Sequence, residues 1–371
     1  MTSPGPVLDY AARLDQLQAQ LRRKKIDALL VGQPENRRYL SGYCAADHGI
    51  NESAGILFVP ARDEPLLLTD FRFREQAERE TTLKVVLYNK GLLALLRDLL
   101  SQYSVCRLAF ESHYTLHSSS LKLAEMAEKH QVALAPLTGL VEKQRLIKSA
   151  AEIGLIRSSV ALNEAVFSHV FSRLDETMSE IEIAGAIEAR MREVGAEGPS
   201  FNTIVAAAEN AALPHAVPTS RRVGKAPMTI DMGLIYKGYC SDMTRNISLG
   251  KVDEKYLEIH RLVRRAQQAA VLAVKPGTLM KELDQAARSV IAKAGYGRQF
   301  GHALGHGVGL AVHEKPSVSY RSRQKLRAGM IITIEPGIYL SRWGGVRLEN
   351  MVVVTEDGCE ELNRDTTWLD I

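Results

Sequence analysis

The sequence predicts an α/β domain over residues 1–145, followed by an α+β domain over residues 146–371 made of two similar halves. Three observations carry this. Short apolar strands alternate with helical stretches through the first third of the chain. Two helix-opening signals follow closely from residue 149. The strand motif TIDMGLIY (229–236) then returns as TIEPGIY (333–339) with one residue gapped.

A chain of 371 residues is too long for one ordinary core and suits two domains. Apolar residues make up 46% and charged residues 24%, the balance of a soluble globular protein. No apolar run reaches the length of a membrane span, so no membrane partner is expected. The start, MTSPGPVLDYAARL, lacks a basic segment followed by an apolar one. No signal peptide is read there, and a cytoplasmic protein is expected. Cys44, Cys106, Cys240 and Cys359 lie far apart without a CxxC pair and read as reduced, isolated thiols. Net charge is +4 with both signs interspersed. The basic clusters Arg22–Lys25 and Arg264–Arg265 read as solvated helix faces, so no nucleic-acid partner is expected.

In the first domain, residues 8–24 have the pattern of an amphipathic helix. IDALLVG (26–32) is a short apolar strand, and AGILFVP (54–60) and EPLLLTD (64–70) form a hairpin. LKVVLYN (83–89) and RLAFE (107–111) add strands, with helices at 92–102 and 118–130. Such alternation marks an α/β domain. The pattern changes near Leu146. Ser149 and Glu152 have capping-box spacing and open a long helix to about Arg173. Thr177 and Glu180 repeat the spacing and open a second helix to about Gly195. A loop and a hairpin follow. The order then recurs, with a helix from about Asp253 to Val274 and a break at Pro276-Gly277. Thr278 caps another helix to about Gly295, and a glycine-rich region and a second hairpin complete the half.

The repeat predicts paired acids on paired hairpins. In MTIDMGLIYKGYCSDMTRNISL, a turn centred between Tyr236 and Lys237 sets Asp231 and Asp242 directly opposite, with Cβ atoms roughly 5 Å apart. In MIITIEPGIYLSRWGGVRLENMVVVT, Glu335 and Glu349 flank a loop centred near Arg342–Gly345 and pair similarly. Like charges directly opposite are destabilising, and a buried unpaired carboxylate carries a large desolvation penalty. Protonating the acids is one escape, and binding divalent cations is the other. The competing reading turns one acid of each pair to solvent.

RQFGHALGHGVGLAVHEKP adds His302, His306 and His313 amid glycines that let backbone and substrate approach closely. GHGVG has no GK[ST] ending, so it is not a Walker loop, and HEKP lacks the second histidine of HExxH. His215, in ALPHAVPTSRR, lies shortly before the first hairpin. Four carboxylates and one imidazole suit two divalent ions, with manganese favoured and cobalt or zinc as alternatives. Metals about 3.5–4 Å apart can share a water and lower its pKa, and the remaining histidines can donate to a developing oxyanion.

The motifs TIDMG, YCSDMTR, GHGVG, HEKP, TIEPG and VRLEN, in this order, resemble the creatinase/methionine-aminopeptidase metallopeptidases. The resemblance is to their Xaa-Pro aminopeptidase and prolidase branch and covers essentially the whole chain. It implies a pita-bread catalytic domain with pseudo-twofold duplication from about residue 146, preceded by a smaller creatinase-type α/β domain. It implies Asp231, Asp242, His306, Glu335 and Glu349 as ligands of two metal ions. Asp242 and Glu349 would bridge, Asp231 would complete one site, and His306 and Glu335 the other. Glu335 would also take the proton of the bridging water, which attacks as hydroxide. His215, His302 and His313 would hold substrate and stabilise the tetrahedral intermediate, and Arg347 would brace substrate or ligands. A homodimer is implied, because in relatives one subunit's N-terminal domain helps close its partner's active site. Asn350 stands where the family usually has Asp, Asn246 where Thr is common, and GYCAADHGINESAGILFVP is less family-like than the rest.

The expected activity is an aminopeptidase that releases the N-terminal residue of peptides with proline in second place. The alternative is a prolidase, restricted to Xaa-Pro dipeptides, in which Arg347 or Arg321 captures the proline carboxylate. Methionine aminopeptidase is disfavoured because that branch usually lacks the N-terminal domain. A metal-free binding protein or creatinase-like hydrolase of the same fold is disfavoured because all five ligand positions hold ligand-capable residues.

Overall fold

The computed structural model describes residues 8–371, in two units, Leu8–Arg145 and Leu146–Ile371. In the first unit the Asp9 carboxylate accepts from the backbone N–H of Ala12 at 2.9 Å and so caps helix Tyr10–Arg23. Six strands follow: β1 (Ala28–Val31), β2 (Ile56–Pro60), β3 (Leu66–Thr69), β4 (Lys84–Leu87), β5 (Arg107–Glu111) and β6 (Ala133–Leu137). They form one sheet in the order β4-β3-β2-β1-β5-β6. The expected hairpin is β2–β3, with Leu57 facing Leu67. Strands β1, β5 and β6 run parallel, so the chain crosses between β5 and β6 through helix His117–Lys129. Leu30, Phe58, Leu68, Leu96 and Leu108 fill the core.

The elements outside the sequence expectation include helix Arg74–Glu80, strand β6 and helix Pro34–Ser41. That helix is polar by composition yet buries Arg37 completely. The guanidinium donates to the carbonyls of Ala45 and Gly55 and pairs with Asp47.

In the second unit, two helix pairs back two antiparallel sheets. Helices Ala150–Phe171 and Glu180–Glu193 pack on strands Ile204–Ala207, Met228–Met232 and Met243–Ile247, with Met228–Met232 in the middle. Helices Glu254–Ala273 and Met280–Lys293 pack on a five-stranded sheet centred on strand Ile331–Ile334. Each half has its own core: Phe167, Ile183, Ile230 and Met243 in one, Leu262, Leu283, Ile332 and Val352 in the other. Asn163 donates to the Met232 carbonyl at 3.0 Å and Gln267 to the Ile334 carbonyl at 3.3 Å. Each half thus ties a strand end beside a motif acid to a helix behind it.

Ser149 and Glu152 form the expected capping box. The second box lies two residues later than expected, at Ser179 and Glu182. The run TMSEIE holds both spacings, and packing chooses between them. Glu180 is buried, accepting from the backbone N–H groups of Ala207 and Thr219, while Thr177 bonds to Asp175. In helix Met280–Lys293, Glu282 accepts from the N–H of Leu279, while Thr278 donates back to the Ala273 carbonyl. Among the described residues, no helix is long and apolar enough to cross a membrane.

Candidate metal centre

The first hairpin turns at Lys237 and Gly238, both with positive φ (48° and 85°), as in a two-residue type I′ turn. Asp231 therefore faces Thr244, and Met232 faces Met243. The expected turn one residue earlier ignored Gly238, the residue that adopts this backbone without a Cβ penalty. Asp242 is diagonal to Asp231 rather than opposite, but shares its face. In the second hairpin, Ile334 faces Asn350 and Gly337 faces Arg347, which sets positions 335 and 349 opposite in the same register. The two hairpins join at the acids: the Glu349 N–H donates to the Thr244 carbonyl at 3.2 Å. The Glu335 N–H donates to the Leu304 carbonyl at 2.9 Å and brings in the strand of His306. Glycines flank His306 because a Cβ at Gly305 would overlap the carbonyl of Thr333 and one at Gly307 that of Lys315.

Asp231, Asp242, His306, Glu335 and Glu349 line one cavity of about 490 Å³, with His215, His302, His313, Tyr339 and Arg347. Donor atoms of Asp242, His306 and Glu349 lie within 4.8 Å of one another. Asp231 and Glu335 stand beside this triad. Asp231 Oδ2 accepts from Arg347 Nη2 at 2.7 Å. Glu335 Oε1 accepts from Thr333 Oγ1 at 2.9 Å and lies 3.3 Å from His306 Nε2.

Burial, then the charges of Glu349, Asp231 and Glu335, push Asp242 well above the usual carboxylate range. Burial, then the charges of Glu335 and Asp231, push Glu349 up to about 8. Burial also raises Asp231, against the pull of Arg347. For Glu335 burial acts upward too, but its hydrogen bond to His306 and the His306 charge hold it at about 2. Burial depresses His306, yet Glu335 more than compensates and lifts it to about 9. These acids therefore draw positive charge towards His306 Nε2.

Asp231 Oδ1 and Glu349 Oε1 are buried without a hydrogen-bond partner, a costly state that a divalent cation relieves. His306 Nδ1 donates to the Gly307 carbonyl at 3.2 Å, which directs Nε2 to the acids; a metal that displaces the Nε2 proton meets the lone pair a ligand needs. Carboxylate oxygens with one imidazole suit a hard or borderline divalent ion. The residues present fit a divalent metal centre.

Arg347 donates to Asp231, to Thr244 Oγ1 at 3.1 Å, to the Pro214 carbonyl at 3.1 Å and to the Tyr339 hydroxyl at 2.8 Å. Tyr339 in turn donates to His302 Nε2 at 3.1 Å, and His302 Nδ1 donates to the Ala303 carbonyl at 2.8 Å. Both ring nitrogens of His302 are thus engaged within the protein. His215 and His313 are exposed on the cavity wall. Burial and the charge of His306 lower His313, with His215 adding to the effect. Arg321 does not line this cavity. Asn246 accepts from the Arg347 N–H at 2.9 Å and donates to Thr229, so it supports the guanidinium's strand. Asn350 donates to Glu361 at 2.5 Å.

Tyr339 and Thr244 are site residues that the motif reading passed over. The strand period finds them: Tyr339 shares the face of Glu335, four residues earlier, and Thr244 that of Asp242, two earlier.

Residues 154–356 match metallopeptidase family M24, and residues 13–147 the creatinase/prolidase N-terminal domain. The chain is 33% identical over 353 residues to the Xaa-Pro dipeptidase of Pyrococcus furiosus, covering 95% of this chain and 97% of that protein. The structure is similar to that of an Xaa-Pro dipeptidase from Bacillus anthracis, with TM-score 0.89 and 34% identity over 96% of this chain and 98% of the other. It is similar also to that of an X-Pro aminopeptidase from Thermotoga maritima, with TM-score 0.84 and 33% identity over 93% and 98% of the two chains. With both domains matched in order and the acid-rich cavity inside the matched catalytic unit, the chain belongs to metallopeptidase family M24, in its Xaa-Pro aminopeptidase and prolidase branch, and has the pita-bread fold.

Proposed function

We propose that the protein is an Xaa-Pro dipeptidase, a prolidase, working with two divalent ions. The observation that carries this is the set of buried acids with orphaned oxygens around His306, in a chain similar over nearly its full length to proteins named Xaa-Pro dipeptidase. The weight of the sequence reading, which put the aminopeptidase first, is thereby reversed. An N-terminal domain over 1–145, a catalytic domain over 146–371 and a homodimer complete the proposal on the strength of the resemblance, and a cytoplasmic location is proposed with them.

In this reading Asp231, Asp242, His306, Glu335 and Glu349 would hold the ions, and the oxygen-rich set favours manganese. When bound, the ions lower the pKa of the attacking water and polarise the scissile carbonyl. Glu335 accepts the water's proton and passes it to the departing proline nitrogen. His215 and His313 donate to the carbonyl oxygen as it gains charge. His302 acts through Tyr339 and Arg347, which hold Asp231. Phe201, Ile204 and Val217 offer the apolar wall for the pyrrolidine ring.

One observation favours a second reading, an aminopeptidase acting on longer peptides. Among the described residues lining the cavity, Arg347 is the one Lys or Arg, and its Nε, Nη1 and Nη2 are all engaged. Beyond Arg347, that wall offers a proline carboxylate imidazoles and neutral donors such as Asn202 and Ser317, but no further Lys or Arg. The test gives manganese-reloaded enzyme an Xaa-Pro dipeptide and an Xaa-Pro-Xaa tripeptide side by side. Cleavage of the dipeptide alone is expected. Comparable or faster cleavage of the tripeptide replaces the dipeptidase by the aminopeptidase, and cleavage of neither sinks both.

A further inference from the structure

We infer that the buried ion pair between Lys148 and Glu314 is a brace that positions His313, so that both are positioning residues of a site neither of them lines. The inference rests on the reading of His313 as a residue that holds substrate. The HEKP motif supplies that histidine and leaves its glutamate without a role.

Lys148 directly precedes Ser149, the cap of helix Ala150–Phe171, and Glu314 directly follows His313. Lys148 Nζ lies 2.5 Å from Glu314 Oε1, with the side chains 1% and 8% exposed. Separating such charges at this depth is strongly unfavourable, so the two move as a unit. The lysine end is anchored, because its backbone N–H donates to the Gly329 carbonyl at 2.9 Å. At the other end Glu314 begins strand Glu314–Val318 and faces Gly307.

The Glu314 carboxylate lies against Gly309. A Cβ at that glycine would fall 2.5–2.9 Å from the carboxylate atoms, so no larger residue leaves it room. The Gly309 carbonyl accepts from the N–H of Cys240 at 2.8 Å, two residues before Asp242, and the Gly309 N–H donates to Ala311 at 3.0 Å. The segment from His306 to Glu314 is therefore a loop whose apex is fixed by a carboxylate from its own end. Across its mouth the rings of His306 and His313 meet edge-on, 4.2 Å between centroids. His306 is held by its own strand pairing. Releasing Glu314 shifts His313 against His306, and the apex against the segment that leads into Asp242.

The test compares manganese-loaded Lys148→Met, Glu314→Gln and the double variant with the parent, well below their melting midpoints. Glu314→Gln keeps the shape of the side chain and stays measurable where Lys148→Met fails to fold. The brace predicts metal content near that of the parent and a loss of about 10- to 100-fold in kcat/KM on an Xaa-Pro dipeptide. The double variant loses no more than the worse single, because the pair acts as one unit. Amide exchange rises only in 305–314 and 238–242. Unchanged kcat/KM in the folded variants overturns the inference. So does exchange that rises across the whole chain, with activity falling only as the folded fraction falls. A parent that cleaves no Xaa-Pro peptide sinks the peptidase reading instead, and the confined rise in exchange then decides the brace alone.

Discussion

Arg347 Nη2 and Asp231 Oδ2 lie 2.7 Å apart, with the two side chains 5% and 12% exposed. The guanidinium fixes one Asp231 oxygen, and the other is left buried without a hydrogen bond. Four contacts from one planar fork hold this arrangement, and a lysine ammonium cannot reproduce them. Arg347→Lys should therefore weaken manganese binding and lower kcat/KM, each by about 10- to 100-fold, the usual effect of removing a partner that orients a ligand. Titration of manganese into stripped protein checks this. Unchanged affinity would mean that Asp231 needs no such support.

Glu335→Gln removes a ligand charge and the proposed base while keeping the shape of the side chain. In the metal-free protein, the hydrogen bond and charge of His306 hold this carboxyl at about 2, so it is ionised and ready to meet a cation. Loss of the base alone should lower kcat by about 10²- to 10⁴-fold, with circular dichroism and the thermal midpoint of the manganese-loaded protein near those of the parent. Near-normal turnover would sink the assignment.

His302 and His306 should separate cleanly. His306 directs Nε2 to the acids, whereas both His302 nitrogens are engaged by Tyr339 and Ala303. His306→Ala is expected to lose bound metal. His302→Ala should keep it and lose activity through a loosened Tyr339–Arg347 pair. Metal analysis of the two proteins decides, and a metal-poor His302→Ala would reverse the assignment.

The sequence was informative wherever a local rule fixed the outcome. Ser149 and Asp253 start helices because their side-chain oxygens meet N–H groups that the first turn cannot satisfy. The paired acids were legible because their strands have a period of two. What failed depended on tertiary demand. TMSEIE offers two capping boxes, and only the burial of Glu180 selects the later one. Helix Pro34–Ser41 hides behind charged residues because Arg37 is satisfied by three distant backbone and side-chain acceptors. Arg321 reads as a carboxylate-capturing candidate until the fold sets it outside the cavity.

Chelation should cost stability, and more so at higher pH. Glu349 is pushed up to about 8 from 4.5 by burial and by the Glu335 and Asp231 charges. In stripped protein the unfolded chain releases this proton first. Between about pH 4.5 and 8 the folded state therefore holds a proton the unfolded state has lost, and stability falls as pH rises through that window. A bound cation removes this penalty and, at 1,000 times its Kd, adds about 4 kcal/mol. Thermal midpoints with and without manganese should differ more at about pH 8 than at about pH 6. An equal gap would mean that these acids do not carry the effect.

A second pH dependence should come from a residue remote from the acids. His260 is 0% exposed in the core behind the second sheet. Burial holds its pKa at about 4, below the ordinary 6.5, and the nearby charge of Arg264 adds to the lowering. The unfolded chain therefore takes up the proton first as pH falls. The stability of the neutral, buried imidazole is fully present above about pH 6.5. It is lost as pH drops from there towards 4, by about 3 kcal/mol at most. His260→Phe keeps a ring in the core and cannot titrate. Denaturant unfolding of stripped parent and variant across this range tests the prediction, since the acids of the metal centre act alike in both and cancel in the difference. The parent should lose stability relative to the variant as pH falls from about 6.5 to 4. A flat difference would assign the acid sensitivity to other groups.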